Sequence, residues 1–92
     1  MGDDFGTVWQ RIVRMQGATF NQIRGKEFTY RVAGGHVVPS TTNRNLPRSS
    51  FQAAFERGPL TNTVALRDLQ GPSYLFAILT DPRISSNDGG NR

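Results

Sequence analysis

Two adjacent glycines, Gly34 and Gly35, divide a stretch of alternating character: Phe28-Thr29-Tyr30-Arg31-Val32 before them and His36-Val37-Val38-Pro39 after. Paired glycines supply the positive φ that a two-residue hairpin turn requires. Alternation with a period of two marks a half-buried strand. Together they predict an antiparallel hairpin with Val32 opposite Val37 and Arg31 opposite Val38. Phe28, Tyr30, Val32 and Val37 then form its apolar face. Thr29, Arg31, His36 and Val38 form the other.

The segment before the hairpin has a different period. Phe5, Val8, Trp9, Ile12 and Val13 recur at i, i+3, i+4, i+7 and i+8, which is one face of an α-helix. Asp3 and Asp4 stand where an N-cap and a dipole-compensating acid belong. Gly17 stands where the helix should stop. Trp9 is expected as a core anchor. A further strand, Ala18 to Ile23, is expected ahead of a turn at Arg24-Gly25-Lys26. A three-residue turn there pairs Phe20 with Tyr30 on the apolar face, whereas a two-residue turn would bury Ile23 instead.

Downstream, the polar run Ser40 to Ser50 leads into an expected helix over Phe51 to Arg57. Ser49 and Gln52 have capping-box spacing, and Gly58-Pro59 would stop the helix. Val64, Leu66 and Leu69 suggest another helical turn or two. Gly71-Pro72-Ser73 opens Tyr74 to Leu79, expected to be a buried helix because proline is tolerated at the first helical position. The alternation of Tyr74, Phe76 and Ile78 also fits a strand. Asp81-Pro82 should end the element. The expectation is therefore an α+β fold: an N-terminal helix, a three-stranded antiparallel sheet, and two or three short helices packed on one face. This order is similar in topology to double-stranded RNA-binding domains, without the lysine-rich cluster those domains carry at their second helix.

The chain has 92 residues, enough for one domain, expected over 1–84 with a flexible tail over 85–92. The sequence shows no internal repeat. With no cysteine there is neither a disulfide framework nor a thiolate ligand, and a cytoplasmic home is expected. The acidic start lacks signal-peptide character, and no apolar run is long enough to span a bilayer, so no membrane association is expected.

Material for catalysis is thin. His36 is the one histidine, and seven carboxylates are scattered along the chain. The expectation is a non-enzymatic protein with no catalytic residue, no metal and no cofactor. The net charge of +4 comes from ten arginines and one lysine, and it favours an anionic partner, nucleic acid or an acidic protein surface. A genome rich in G and C also writes arginine in place of lysine. The residues expected to bind are Arg31 and His36 on the hairpin, Arg44 and Arg48 in the polar run, the N–H groups of Ser49 and Ser50, and Arg24 and Lys26 on the preceding turn. The alternative is an adaptor or inhibitor that binds protein, or a copy of itself as a homodimer, through an aromatic patch of Trp9, Phe51, Phe55, Tyr74 and Phe76. A small-nucleotide sensor using the same polar run is a third class.

Overall fold

The computed structural model describes residues 4–22, 25–42, 44–57 and 63–85. Helix α1 runs over Phe5–Arg14. Asp4 caps it, its Oδ1 accepting the Thr7 N–H at 2.9 Å. That bond holds the Asp4 carboxyl below its usual range. Phe5, Val8 and Ile12 are buried, but Val13, expected on the same face, is exposed. The helix ends through Met15, and Gly17 takes φ +84°.

Strands β1 (Phe20–Asn21) and β2 (Glu27–Phe28) form a separate two-stranded ladder. Phe20 lies opposite Phe28, not Tyr30. The register is thus two residues from the expected one, and Phe20 keeps the expected face because strand side chains alternate with a period of two. Its ring packs 5.3 Å from Tyr30 and 6.1 Å from Phe28. The intervening turn is fixed by Gln22 N–H on Lys26 O and Gly25 N–H on Gln22 O.

Strands β3 (Tyr30–Ala33) and β4 (His36–Pro39) pair as the glycine turn dictates, Val32 on Val37 and Arg31 on Val38. The third strand of this sheet is β5, Leu46–Pro47, which lies against β4 with Val37 opposite Leu46 and His36 opposite Pro47. The expected third strand, Ala18 to Ile23, contributes its central residues to the smaller ladder instead. The free edge of β3 is covered by the exit of α1. Gly17 N–H donates to Tyr30 O at 2.9 Å, and Gln16 Oε1 accepts the Val32 N–H at 2.8 Å.

Helix α2 begins directly after β5 and covers Arg48–Glu56, three residues earlier than expected. The capping box is not used: Pro47 is the N-cap residue, and no side chain caps the helix. A tertiary bond takes that place, the Arg48 N–H donating to Gly35 O at 3.0 Å in the hairpin turn. The expected Gly58-Pro59 stop lies outside the described residues. A 3-10 turn covers Val64–Leu66. Helix α3 follows over Pro72–Leu79, with Gly71 ahead of it in the left-handed region and proline in its first turn. The segment is therefore helical, as its proline and buried residues implied. Asp81 and Pro82 end α3 and also open one more short helix, α4, over Pro82–Ser85. The tail beyond Ser85 lies outside the described residues.

The molecule is an α+β fold with the helices and the inner strand positions sharing one core. Phe20, Phe28, Tyr30, Val37 and Leu46 meet Phe5, Ile12, Phe51, Leu66, Leu75, Ile78 and Ile84 there. The Tyr30 hydroxyl donates to Ile12 O at 2.6 Å inside it, and burial pushes the phenol well above its ordinary pKa. Removing a side chain of this class from a packed core costs about 3–5 kcal/mol. Among the described residues no helix is long and apolar enough to cross a membrane.

Candidate functional site

The β3–β4 hairpin has a closed end, at Gly34-Gly35, and an open end, where Thr29 leads in and Ser40 leads out. The expected binding residues divide between these ends. At the closed end are His36, Arg48, Ser49 and Ser50. At the open end are Arg31 and Arg44, while Lys26 lies earlier in the chain, in the β1–β2 turn. Arg24 lies outside the described residues.

The closed end is chiefly structural. His36 is half-buried, with its Nδ1 3.2 Å from Gly34 O. Arg48 is exposed, yet its guanidinium lies 5.0 Å from the Phe5 ring centre and 5.7 Å from that of Trp9. Arg48, Phe51 and Phe55 fall at i, i+3 and i+7 on α2, so the arginine continues the stripe that packs on α1. Ser49 is exposed in the first turn and Ser50 is buried. The opening N–H groups of a helix lack intrahelical acceptors. Here the Arg48 N–H is satisfied by the hairpin, and of the two serines Ser49 alone is exposed.

The open end is organised by hydroxyl groups. Ser40 closes the hairpin twice, its N–H donating to Thr29 O at 2.8 Å and its Oγ accepting the Thr29 N–H at 3.0 Å. The Thr41 hydroxyl bonds that of Tyr74 on α3. The Thr42 Oγ1 accepts the Arg44 N–H at 3.3 Å. Three short polar side chains of the run are therefore occupied in fixing the loop, and they hold the backbone from which Arg44 projects.

Arg31 stands on the outer face of β3, exposed, across from Val38. Antiparallel pairing of Leu46 with Val37 directs the residues ahead of β5 toward the Pro39 end of β4. The chain carrying Arg44 thus runs toward the Pro39 end of the sheet, the end at which Arg31 lies. Beside Arg31 opens a shallow depression of about 210 Å³ lined by Thr29, Tyr30, Arg31, Val38, Pro39 and Ser40. The alternating pattern had placed Thr29 and Val38 on this face. Ser40 could have been found by continuing the hairpin register one pair beyond Tyr30 and Pro39.

Charge pairing differs between the two sides of the molecule. Arg57 holds Asp68 in a two-pronged bond of 2.7 and 2.8 Å, and this presses the Asp68 carboxyl down to about 2. Arg83 pairs with Asp81 at 2.9 Å, donates to Thr19 O at 2.7 Å, and lies 4.3 Å from the Phe20 ring centre. Arg11 donates to Ile84 O at 3.0 Å. Arg14, in the last turn of α1, and Arg67, after the 3-10 turn, are exposed and make no ion pair among the described residues. Lys26, Arg31 and Arg44 are exposed and make no ion pair among the described residues. Of the described carboxylates, Glu27 alone lies on a strand.

The five rings of the alternative reading all pack on the core. Phe51 is fully buried; Trp9, Phe55, Tyr74 and Phe76 are half-buried against the core. Phe55 packs 5.7 Å from Phe5 and Trp9 6.0 Å from Phe51. Among the described residues, no group of three or more His, Asp or Glu side chains is placed to hold a metal ion. Comparison with protein-family models, with curated proteins and with solved structures finds no match for this chain.

Proposed function

We propose that this chain is a small non-enzymatic binding domain whose partner is nucleic acid, engaged through the open end of the β3–β4 hairpin. The observation that carries this reading is the pair Arg31 and Arg44. Both are exposed, both lack a carboxylate partner among the described residues, and both project from backbone held by hydrogen bonds. Guanidinium groups bind phosphate oxygens in a forked geometry, and a pre-ordered backbone lowers the entropy lost on binding. Lys26, exposed just ahead of β2, adds one more cation. Arg48 belongs to the α1–α2 contact and supports the fold before it supports a ligand, so it leaves the group of phosphate-binding candidates.

The test is binding to random-sequence nucleic acid at low and high salt. Affinity in the micromolar range, falling steeply with salt, is the expected outcome. Replacing Arg31 and Arg44 together by alanine should weaken binding about tenfold or more at low salt while leaving the thermal transition in place. Salt-insensitive binding, or none, sinks the proposal. Loss of fold in the double variant would show that the two arginines are structural.

A further inference from the structure

We infer that the form of nucleic acid this surface takes is a duplex, gripped by its phosphate backbone and without regard to base sequence. The inference rests on the proposed function and sharpens it.

Proteins that hold single strands combine basic grooves with exposed aromatic rings on which unpaired bases stack, each stacked base being worth about tenfold or more in affinity. This chain has six phenylalanines, two tyrosines and one tryptophan. All lie within the described residues, and none is exposed. The outer face of the three-stranded sheet, where a stacking platform would have to be, carries Arg31, Ala33, Val38 and Pro47 around His36. The His36 ring is held against Gly34 O at the closed end, away from Arg31 and Arg44. The rings that retain partial exposure are engaged elsewhere: Trp9 under Arg48, Phe55 on Phe5, Tyr74 edge-on to Phe28 with its hydroxyl bonded to Thr41, and Phe76 against the core from α3.

Without stacking, the phosphate backbone supplies the binding energy. A duplex then has the advantage, since it carries about twice the charge per unit length of a single strand. Each neutralised phosphate also releases about 0.9 of a counterion from a duplex, against about 0.7 from a single strand. Base readout has little dedicated to it among the described residues. The loop hydroxyls of Ser40, Thr41 and Thr42 each take part in a hydrogen bond within the protein, which holds them to the loop.

The experiment is a titration of the full chain against four probes of about 25 nucleotides or base pairs: duplex DNA, duplex RNA, single-stranded DNA and single-stranded RNA, each at about 50 and 200 mM salt. A duplex affinity at least about tenfold above that of the matching single strand supports the inference, and the tighter of the two duplexes identifies the backbone preferred. Scrambling the duplex sequence should leave affinity unchanged within about twofold. The double variant Arg31→Ala, Arg44→Ala should lower the salt slope by about 2. Single strands bound as tightly as duplexes, or a strong dependence on base sequence, would overturn the inference and leave the proposed function standing. Failure of all four probes to bind in a salt-dependent way would overturn the proposed function itself.

Discussion

Three arginines of the helical side, Arg48, Arg57 and Arg83, and the two of the hairpin's open end have the same residue type and opposite circumstances. Arg48, Arg57 and Arg83 reach rings, carboxylates and carbonyls contributed by other segments of the chain. Arg31 and Arg44 have hydrogen-bonded backbones and guanidinium groups with no ion pair among the described residues. The difference teaches that net charge is a poor guide to a basic site. What matters is which cations remain after the fold has taken the ones it uses.

The sharpest way to break that contrast is to remove arginines from each side and measure stability. Arg83→Ala removes an ion pair, a bond to Thr19 O and a cation over the Phe20 ring. It should lower unfolding stability by about 2 kcal/mol, summing a partly exposed cation–π contact with its hydrogen bonds. Arg31→Ala should stay within about 0.5 kcal/mol of the parent in the same urea titration. Equal losses would erase the distinction. A smaller effect is expected for Arg48→Ala, about 1 kcal/mol, because that guanidinium rests on two rings without a carboxylate. Its duplex affinity should remain within about threefold of the parent. A loss of binding equal to that of Arg31→Ala would return Arg48 to the ligand site.

The smallest effect concerns pH. Arg57 hydrogen-bonds the Asp68 carboxylate and holds it down to about 2, against an ordinary value of 3.8. A carboxyl depressed in the folded state stabilises above its unfolded pKa. That contribution fades as the pH falls through the folded value. The pair should therefore help fully above about pH 4 and be lost toward about pH 2, where Asp68 takes up its proton. Both partners are at the surface, so the effect is modest and screened by salt. Asp68→Asn should show a slightly smaller drop in melting temperature over this interval than the parent. An unchanged drop would mean that the pair contributes nothing.

The parts of the fold that were legible in the sequence are those set by local chemistry. Gly34-Gly35 dictated the β3–β4 register, the 3.6-residue spacing from Phe5 to Ile12 marked α1, and Pro72 after Gly71 opened α3 as a helix. The parts that escaped depend on distant partners. Leu46–Pro47 is a strand only because Val37 and His36 lie beside it, and two residues among polar neighbours carry no periodicity. Helix α2 starts early because the Arg48 N–H finds Gly35 O, a bond that no capping motif foretells. The placement of the candidate residues was legible to the same degree. Arg31 could be assigned an outward face by alternation, and the run containing Arg44 was conspicuous. The commitment of Arg48 to Phe5 and Trp9 could not be read, because those rings belong to another helix.

The exit turn of α1 has a consequence for how copies of this chain can meet. Sheets polymerise when an open strand edge offers its amides and carbonyls to a neighbouring molecule. On β3 those groups are met by Gly17 and by the side chain of Gln16, and β5 at the opposite edge is two residues long and includes a proline, which has no N–H to offer. Growth of the sheet past β3 would first have to prise the end of the first helix from its seat. A single glutamine carboxamide thus helps guard the protein against fibrous assembly, and loosening of α1 is the event that would expose it.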